Sequence, residues 1–141
     1  MRIFLTLFVA ISIWSVSNAK KPNIVIIFTD DQGYADLGCY GSKTNKTPRL
    51  DQLAKEGTMF TSFYTQAVCG PSRSALLTGR YPCRSKGWGM PASEITFAEL
   101  IKGAGYQTAC IGKWDVSNRK PIIDRMPNAQ GFDYFFGALG A

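Results

Sequence analysis

The residues best suited to chemistry lie in one short run, 69–80, whose sequence is CGPSRSALLTGR. Cys69 is a candidate nucleophile, and Arg73 follows it by four residues, about one helical turn. Pro71 favours a helix start and Gly79 a left-handed stop. The run therefore predicts a short helix with Cys69 just ahead of its N-terminus, where free N–H groups and the helix dipole favour negative charge. The alternative is a buried structural cysteine on a capping turn.

Two further candidate groups follow predicted strands. Residues 23–29 (NIVIIFT) form a nearly continuous apolar run, typical of a strand buried on both faces of a parallel sheet. This run ends directly on Asp30 and Asp31. Residues 106–111 predict another strand, which ends just before Lys113.

Ligands in open α/β sheets bind beyond the carboxyl ends of the strands. This rule predicts that five side chains lie at one rim: Asp30, Asp31, Cys69, Arg73 and Lys113. Adjacent ionised carboxylates repel unless a cation lies between them, so Asp30 and Asp31 favour a hard divalent ion. A solvated turn is the alternative for this pair.

The remaining pattern predicts an α/β fold with a largely parallel sheet flanked by helices. Residues 47–57 begin with Thr-Pro and end with Gly, which indicates a helix with both of its caps. Residues 59–66 predict a strand that leads toward Cys69. Residues 96–104 open with a capping box and predict a helix stopped by Gly105.

Residues 1–19 predict a cleaved signal peptide, with an uncleaved anchor as the alternative. Arg2 precedes the mostly apolar run 3–16, and small residues follow at a cleavage site before Lys20. The run is shorter than the roughly 20 apolar residues of a membrane helix. We therefore expect an exported protein (periplasmic, lysosomal or extracellular) without stable membrane insertion.

Charge and cysteine content do not favour two classes of function, nucleic-acid binding and zinc binding. The net charge of +6 becomes +5 without Arg2, and the basic residues are scattered, which does not favour nucleic acid as a partner. The chain has four cysteines: Cys39, Cys69, Cys83 and Cys110. No two of them have C-x-x-C spacing, which does not favour a zinc site. We expect free buried thiols for Cys39 and Cys110, and the alternative is that the four cysteines form two disulfides.

The run C-x-P-x-R followed by S-x-L-L-T-G-R resembles the signature of the type I, formylglycine-dependent sulfatases of the alkaline-phosphatase-like superfamily. Further segments match the family pattern in order: 22–31, the final part of 36–41, 47–60, 104–114 and 131–137. The resemblance implies an alkaline-phosphatase/sulfatase-like fold. Residues 20–141 would then be the N-terminal part of a sulfatase catalytic domain.

By this resemblance the protein is a sulfuric ester hydrolase acting on a sulfated small molecule or polysaccharide. A formylglycine-generating enzyme would oxidise Cys69 to formylglycine, whose hydrate attacks sulfur and leaves a covalent sulfated enzyme. Asp30, Asp31 and the modified Cys69 would ligate calcium. Arg73 would hold the hydrate, and Lys113 would bind the sulfate oxygens as a catalytic and substrate-binding residue.

Two departures from the family pattern matter. The family usually has histidine after G-K-W, whereas this chain has Asp115 after Trp114 and contains no histidine. The family's later Asp-Asn metal pair, second histidine and second lysine have no counterpart, so calcium, which prefers about 6–8 oxygens, would be under-coordinated. We therefore expect a truncated sequence that is inactive alone. The alternatives are a formylglycine-dependent phosphate- or phosphonate-ester hydrolase and a non-catalytic remnant that binds sulfated glycan.

Overall fold

The computed structural model describes residues 20–85, 89–116 and 123–140. Within these ranges the chain forms three α-helices and two β-strands: α1, Pro48–Glu56; α2, Cys69–Thr78; α3, Phe97–Gly103; β1, Ala109–Ile111; and β2, Tyr134–Phe136. Short 3-10 turns lie between them, at Tyr34–Asp36, Gly38–Tyr40, Pro82–Arg84, Ile123–Arg125 and Pro127–Gln130. The predicted signal peptide, 1–19, lies outside the described residues. No helix in the described ranges is long and apolar enough to cross a membrane.

Helices α1 and α3 form where their capping residues predict. Thr47 is the N-cap of α1 and Gly57 its C-cap. At α3, the Thr96 hydroxyl accepts a hydrogen bond from the Glu99 N–H at 3.2 Å, and the Glu99 carboxylate accepts one from the Thr96 N–H at 2.7 Å. Each bond satisfies a backbone donor that the helix leaves free. Helix α3 ends at Gly103, one residue earlier than predicted, and Gly105 has the left-handed φ of 81°.

Helix α2 begins two residues earlier than predicted. Cys69 is its first residue rather than a residue ahead of it, and Val68 is the extended N-cap. The Ser72 N–H donates to the Val68 carbonyl at 3.2 Å, so the helical ladder includes the cysteine. Pro71 fits the third position because the first four N–H groups have no intrahelical acceptor. Gly79 ends the helix in the left-handed conformation (φ 66°), as predicted.

Strands β1 and β2 pair in parallel, with Ala109 opposite Tyr134 and Ile111 opposite Phe136. The prediction of a strand over 106–111 is confirmed for its last three residues, and β2 was not predicted. The α/β character of the chain and the parallel pairing are therefore confirmed. The sheet of the described residues has two strands, not the larger sheet that the sequence predicted.

The prediction of strands over 23–29 and 59–66 is wrong, because neither of these described segments forms a strand in the structure. Their apolar pattern expresses a preference for burial, whereas a strand also needs a neighbouring backbone with which to exchange hydrogen bonds. Val25 and Ile27 are 82% and 74% exposed. Part of this segment lines a cleft of about 190 Å³ together with Ala109 of β1, instead of pairing with that strand.

The core packs the helix that carries Cys69 against the segment that follows β1. Phe132 is its centre, with Phe97 edge-on at 6.2 Å and Trp114 edge-on at 5.8 Å between ring centroids. The Trp114 indole N–H also donates to the Arg125 carbonyl at 2.8 Å. The buried apolar residues come from α2, α3 and the connecting segments: Leu77, Met90, Ala98, Trp114, Val116 and Phe132. Burial of Trp114 fixes the chain on either side of it, where Lys113 and Asp115 lie.

Candidate active site

Asp30, Arg73 and Lys113 form one ion-pair cluster. The Arg73 guanidinium lies 3.1 Å from one Asp30 carboxylate oxygen, and the Lys113 ammonium lies 3.0 Å from the other. Asp30 follows the 23–29 segment, Arg73 is one turn into α2, and Lys113 follows β1. The structure thus brings together residues from three distant parts of the sequence. The Asp30 carboxylate holds both cations, Arg73 and Lys113.

Arg73 is anchored on several sides. Its guanidinium donates to the Lys113 carbonyl at 3.1 Å and lies 5.2 Å from the centre of the Phe28 ring. The side chain is only 11% exposed. Its Nε is buried and has no hydrogen-bond partner among the described residues. A buried guanidinium N–H without a partner is costly, which makes this atom a candidate contact for a group absent from the structure.

Cys69 joins the cluster through Asp115. The thiol donates to an Asp115 carboxylate oxygen at 2.9 Å, and the same oxygen lies 3.6 Å from the Lys113 ammonium. The sequence singled out Asp115 only as a departure from a family pattern, and its contact with Cys69 was missed. Lys113 and Asp115, the two neighbours of Trp114 in the chain, therefore both lie at the site.

Asp31 is the one predicted site residue that stays apart. Its side chain is exposed, and no hydrogen bond or ion pair from it is found within the described residues. Its backbone φ is 52°, in the left-handed region that few non-glycine residues adopt. Asp30 and Asp31 are adjacent in the chain, but only Asp30 contacts the cationic side chains.

The ion pairs hold the cluster in its charged form. The hydrogen bond from Lys113, followed by that from Arg73, keeps the pKa of Asp30 below its usual range. The bond to Asp30 raises the pKa of Lys113. Each partner therefore favours the ionised state of the other at neutral pH. The site presents two fixed cations whose charge is offset by the carboxylates of Asp30 and Asp115.

A complete calcium site is not built from these residues. No group of three His, Cys, Asp or Glu side chains within the described ranges is placed to hold a metal ion. Both Asp30 oxygens contact cations, and Asp31 lies outside the cluster. Calcium takes about 6–8 oxygen ligands. Asp30, Asp31 and Cys69 alone therefore do not fit the ion.

The four cysteines carry free thiols, so two disulfides do not form in this structure. Burial raises the pKa of the Cys110 thiol, which keeps it protonated. Cys69 is half-buried, and within the described residues its thiol is the only one of the four that hydrogen-bonds to a carboxylate. This agrees with the sequence argument that favoured free thiols for Cys39 and Cys110.

Comparison with known proteins decides the family. The family model described as Sulfatase matches residues 22–141. The chain belongs to the sulfatase family. Human arylsulfatase A is 47% identical to this sulfatase chain over 130 residues, which cover 84% of the chain and 25% of the relative. The chain therefore spans about a quarter of the length of that relative.

Solved structures show a sulfatase fold over the same region. Ps i-CgsB in complex with k-i-k-neocarrahexaose superposes with a TM-score of 0.80 and 40% identity, covering 86% of this sulfatase chain and 29% of that protein. BT4656 in complex with its substrate D-glucosamine-2-N,6-O-disulfate superposes with a TM-score of 0.70 and 36% identity, covering 82% and 23%. The short parallel sheet and the three helices thus form part of a sulfatase-like fold.

Proposed function

We propose that this sulfatase chain contributes the nucleophile and the sulfate-binding cations of a sulfuric ester hydrolase. The observation that carries the proposal is the position of Cys69. It lies at the start of α2 within the CGPSR run, hydrogen-bonded to Asp115 and next to the ion pairs of Arg73 and Lys113. A nucleophile beside two fixed cations suits attack on an anionic ester.

The residues at this point fit a formylglycine derived from Cys69. The thiol is free and half-buried, and Arg73 lies four residues later on the same face of α2. The Arg73 Nε, which has no hydrogen-bond partner among the described residues, would donate to a hydroxyl on residue 69. Formylglycine, once formed, supplies a hydrated aldehyde as nucleophile. A formylglycine-generating enzyme is the implied partner.

Arg73 and Lys113 have complementary tasks in this proposal. The Lys113 side chain is 20% exposed, so its ammonium can reach a sulfate oxygen while Asp30 holds it in place. Arg73 is more buried and lies one helical turn after residue 69, where its charge would offset negative charge on the nucleophile. Both cations are positioned before substrate arrives, which is the condition for effective stabilisation of charge that develops during reaction.

We propose that the larger protein binds calcium at this site. Asp30, Asp31 and the modified residue 69 would supply part of the oxygen ligands, and the rest would come from residues not among these 141. Binding would require Asp30 to exchange at least one of its ion pairs for the metal.

We propose that the substrate is a sulfate ester of a small molecule or of a glycan. Arylsulfatase A indicates sulfate esters of small molecules, and the two complexes with saccharides indicate sulfated glycans. We further propose that residues 1–19 are removed on export, and that 20–141 form the N-terminal part of a catalytic domain with a larger parallel sheet. Helices packed on the faces of that sheet would cover the exposed apolar side chains of 23–29.

The test begins with the modification. The full-length protein is expressed with the cysteine-oxidising enzyme, and the tryptic peptide that contains Cys69 is weighed by mass spectrometry. We expect an aldehyde or its hydrate in place of the thiol. Turnover of 4-nitrophenyl sulfate is then compared with turnover of 4-nitrophenyl phosphate, with Cys69→Ala as the matched inactive control.

Four outcomes separate the alternatives. Preference for the sulfate ester supports a sulfatase, and preference for the phosphate ester supports the related phosphate-ester hydrolase. An unmodified thiol despite the oxidising enzyme would remove the nucleophile and contradict both hydrolase proposals. Retained binding of a sulfated glycan without turnover would then favour the non-catalytic alternative.

A further inference from the structure

Asp115 occupies an unusual position for an acidic residue beside an anion-binding site. One of its carboxylate oxygens accepts a hydrogen bond from the Cys69 thiol at 2.9 Å and lies 3.6 Å from the Lys113 ammonium. Its side chain is only 12% exposed. The carboxylate thus contacts both the candidate nucleophile and a candidate sulfate-binding cation, and it is shielded from water.

The backbone holds Asp115 in this position against its ordinary preference. Its φ is 43°, in the left-handed region, where Asp, Asn and His are the least unusual non-glycine residues. The Asp115 N–H donates to the Leu139 carbonyl at 3.0 Å, and the Trp114 N–H donates to the Ala138 carbonyl at 2.8 Å. A strained conformation held by backbone hydrogen bonds is typical of a functional position.

We infer that Asp115 is a positioning residue, whose carboxylate orients the side chain of residue 69 and steadies Lys113. It lies where the family pattern has histidine. This inference rests on the proposed function. A carboxylate oxygen has room for two donors, whereas a neutral imidazole offers one acceptor nitrogen, so Asp115 can serve the residue-69 donor and the Lys113 ammonium together.

The negative charge of Asp115 does not by itself exclude sulfate from the site. Asp30 and Asp115 supply two carboxylates, and Arg73 and Lys113 supply two cations that contact them. The local charges are therefore balanced before Asp31 is counted. Lys113, which lies between both carboxylates, keeps donor capacity for a sulfate oxygen because an ammonium has three N–H groups.

The experiment uses the full-length protein with the cysteine-oxidising enzyme and compares wild type with Asp115→Asn and Asp115→Ala. Asparagine suits the left-handed backbone and removes only the charge, so it remains informative where the alanine variant folds poorly. Glu56→Gln, an exposed acid-to-amide change at the end of α1, is the matched control. Conversion of Cys69 and the melting temperature are measured first for each protein.

Two readouts are then taken on protein with equal conversion. With 4-nitrophenyl sulfate, we expect kcat of Asp115→Asn to fall about 10- to 100-fold with KM nearly unchanged, since a charge-assisted hydrogen bond to the nucleophile is lost. Independently of turnover, an aminooxy reagent should label the residue-69 aldehyde about 5-fold faster, because a neutral amide oxygen is a weaker acceptor than a carboxylate and stabilises the hydrate less. Glu56→Gln should change neither value.

The outcomes separate this inference from the proposed function. If wild type cleaves sulfate esters and Asp115→Asn matches it in both kcat and labelling rate, Asp115 is not a positioning residue. A lower KM with an unchanged kcat would mean that Asp115 acts only by repelling the anion, which also overturns the inference. If wild type lacks turnover, the sulfatase proposal fails, and the labelling rate still tests the contact between residues 69 and 115.

Discussion

Replacing Arg73 with lysine tests whether the site needs a guanidinium or only a positive charge. Arg73 donates to Asp30 and to the Lys113 carbonyl, each at 3.1 Å, and lies against the Phe28 ring. A lysine ammonium is a point charge on a flexible stem and can keep one of the two hydrogen bonds. The change therefore removes about one charge-assisted hydrogen bond, worth about 1.5–3 kcal/mol.

We expect kcat/KM for 4-nitrophenyl sulfate to fall about 10- to 100-fold in Arg73→Lys, because each 1.4 kcal/mol corresponds to about tenfold. Arg73→Ala should lose more, since it leaves Asp30 with Lys113 alone. Arg49→Lys, an exposed substitution of the same kind on α1, is the control and should match wild type.

The assay is made at equal conversion of Cys69 to formylglycine, so that incomplete modification is not mistaken for lost catalysis. Melting curves of Arg73→Lys and wild type are compared in parallel. If Arg73→Lys keeps more than half of the wild-type kcat/KM, the two directed hydrogen bonds are not needed, and the proposal that the Arg73 guanidinium holds the hydrate of residue 69 is wrong.

Three further results are expected. Asp31→Asn in the full-length protein should abolish turnover and weaken calcium binding measured by calorimetry. Unchanged calcium affinity would mean that the Asp30–Asp31 pair is only a solvated turn. The hydrogen bond from Lys102 holds the pKa of Asp133 below its ordinary 3.8, so its contribution to stability is present above that value and lost as the pH falls through the lowered pKa. The difference in unfolding free energy between wild type and Asp133→Asn should therefore be constant from about pH 5 to 8 and shrink as the pH falls below about 4; a difference that does not shrink would contradict this. The polypeptide 20–141 expressed alone should aggregate and lack activity, because apolar side chains of 23–29 are exposed; calcium-dependent turnover by a soluble monomer would refute this.

The helices could be predicted from the sequence because their signals are local. The Thr96 capping box and the glycines that follow α1 and α2 act within one turn of the chain, and all three lie where predicted. The start of α2 was misplaced by two residues. Proline is compatible with several positions of the first turn, so Pro71 alone could not fix the boundary.

The strands could not be predicted in the same way, because a strand is defined by a partner that is distant in sequence. Residues 23–29 have the stronger apolar pattern but no pairing in the structure, whereas β2 is three residues long and pairs with β1. Apolar periodicity indicates which side chains favour burial. It does not indicate which backbone will supply the hydrogen bonds.

The sequence by itself determined the family and which residue types could do chemistry: the CGPSR run, the Asp30–Asp31 pair and Lys113. Only the tertiary structure decided how they meet. It paired Asp30 with two cations, left Asp31 apart, and placed the Asp115 carboxylate 2.9 Å from the Cys69 thiol. That contact joins residues 46 positions apart, and it depends on the left-handed backbone of Asp115 and the buried Trp114 beside it. Side-chain direction at such a position is set by packing, which local sequence does not encode.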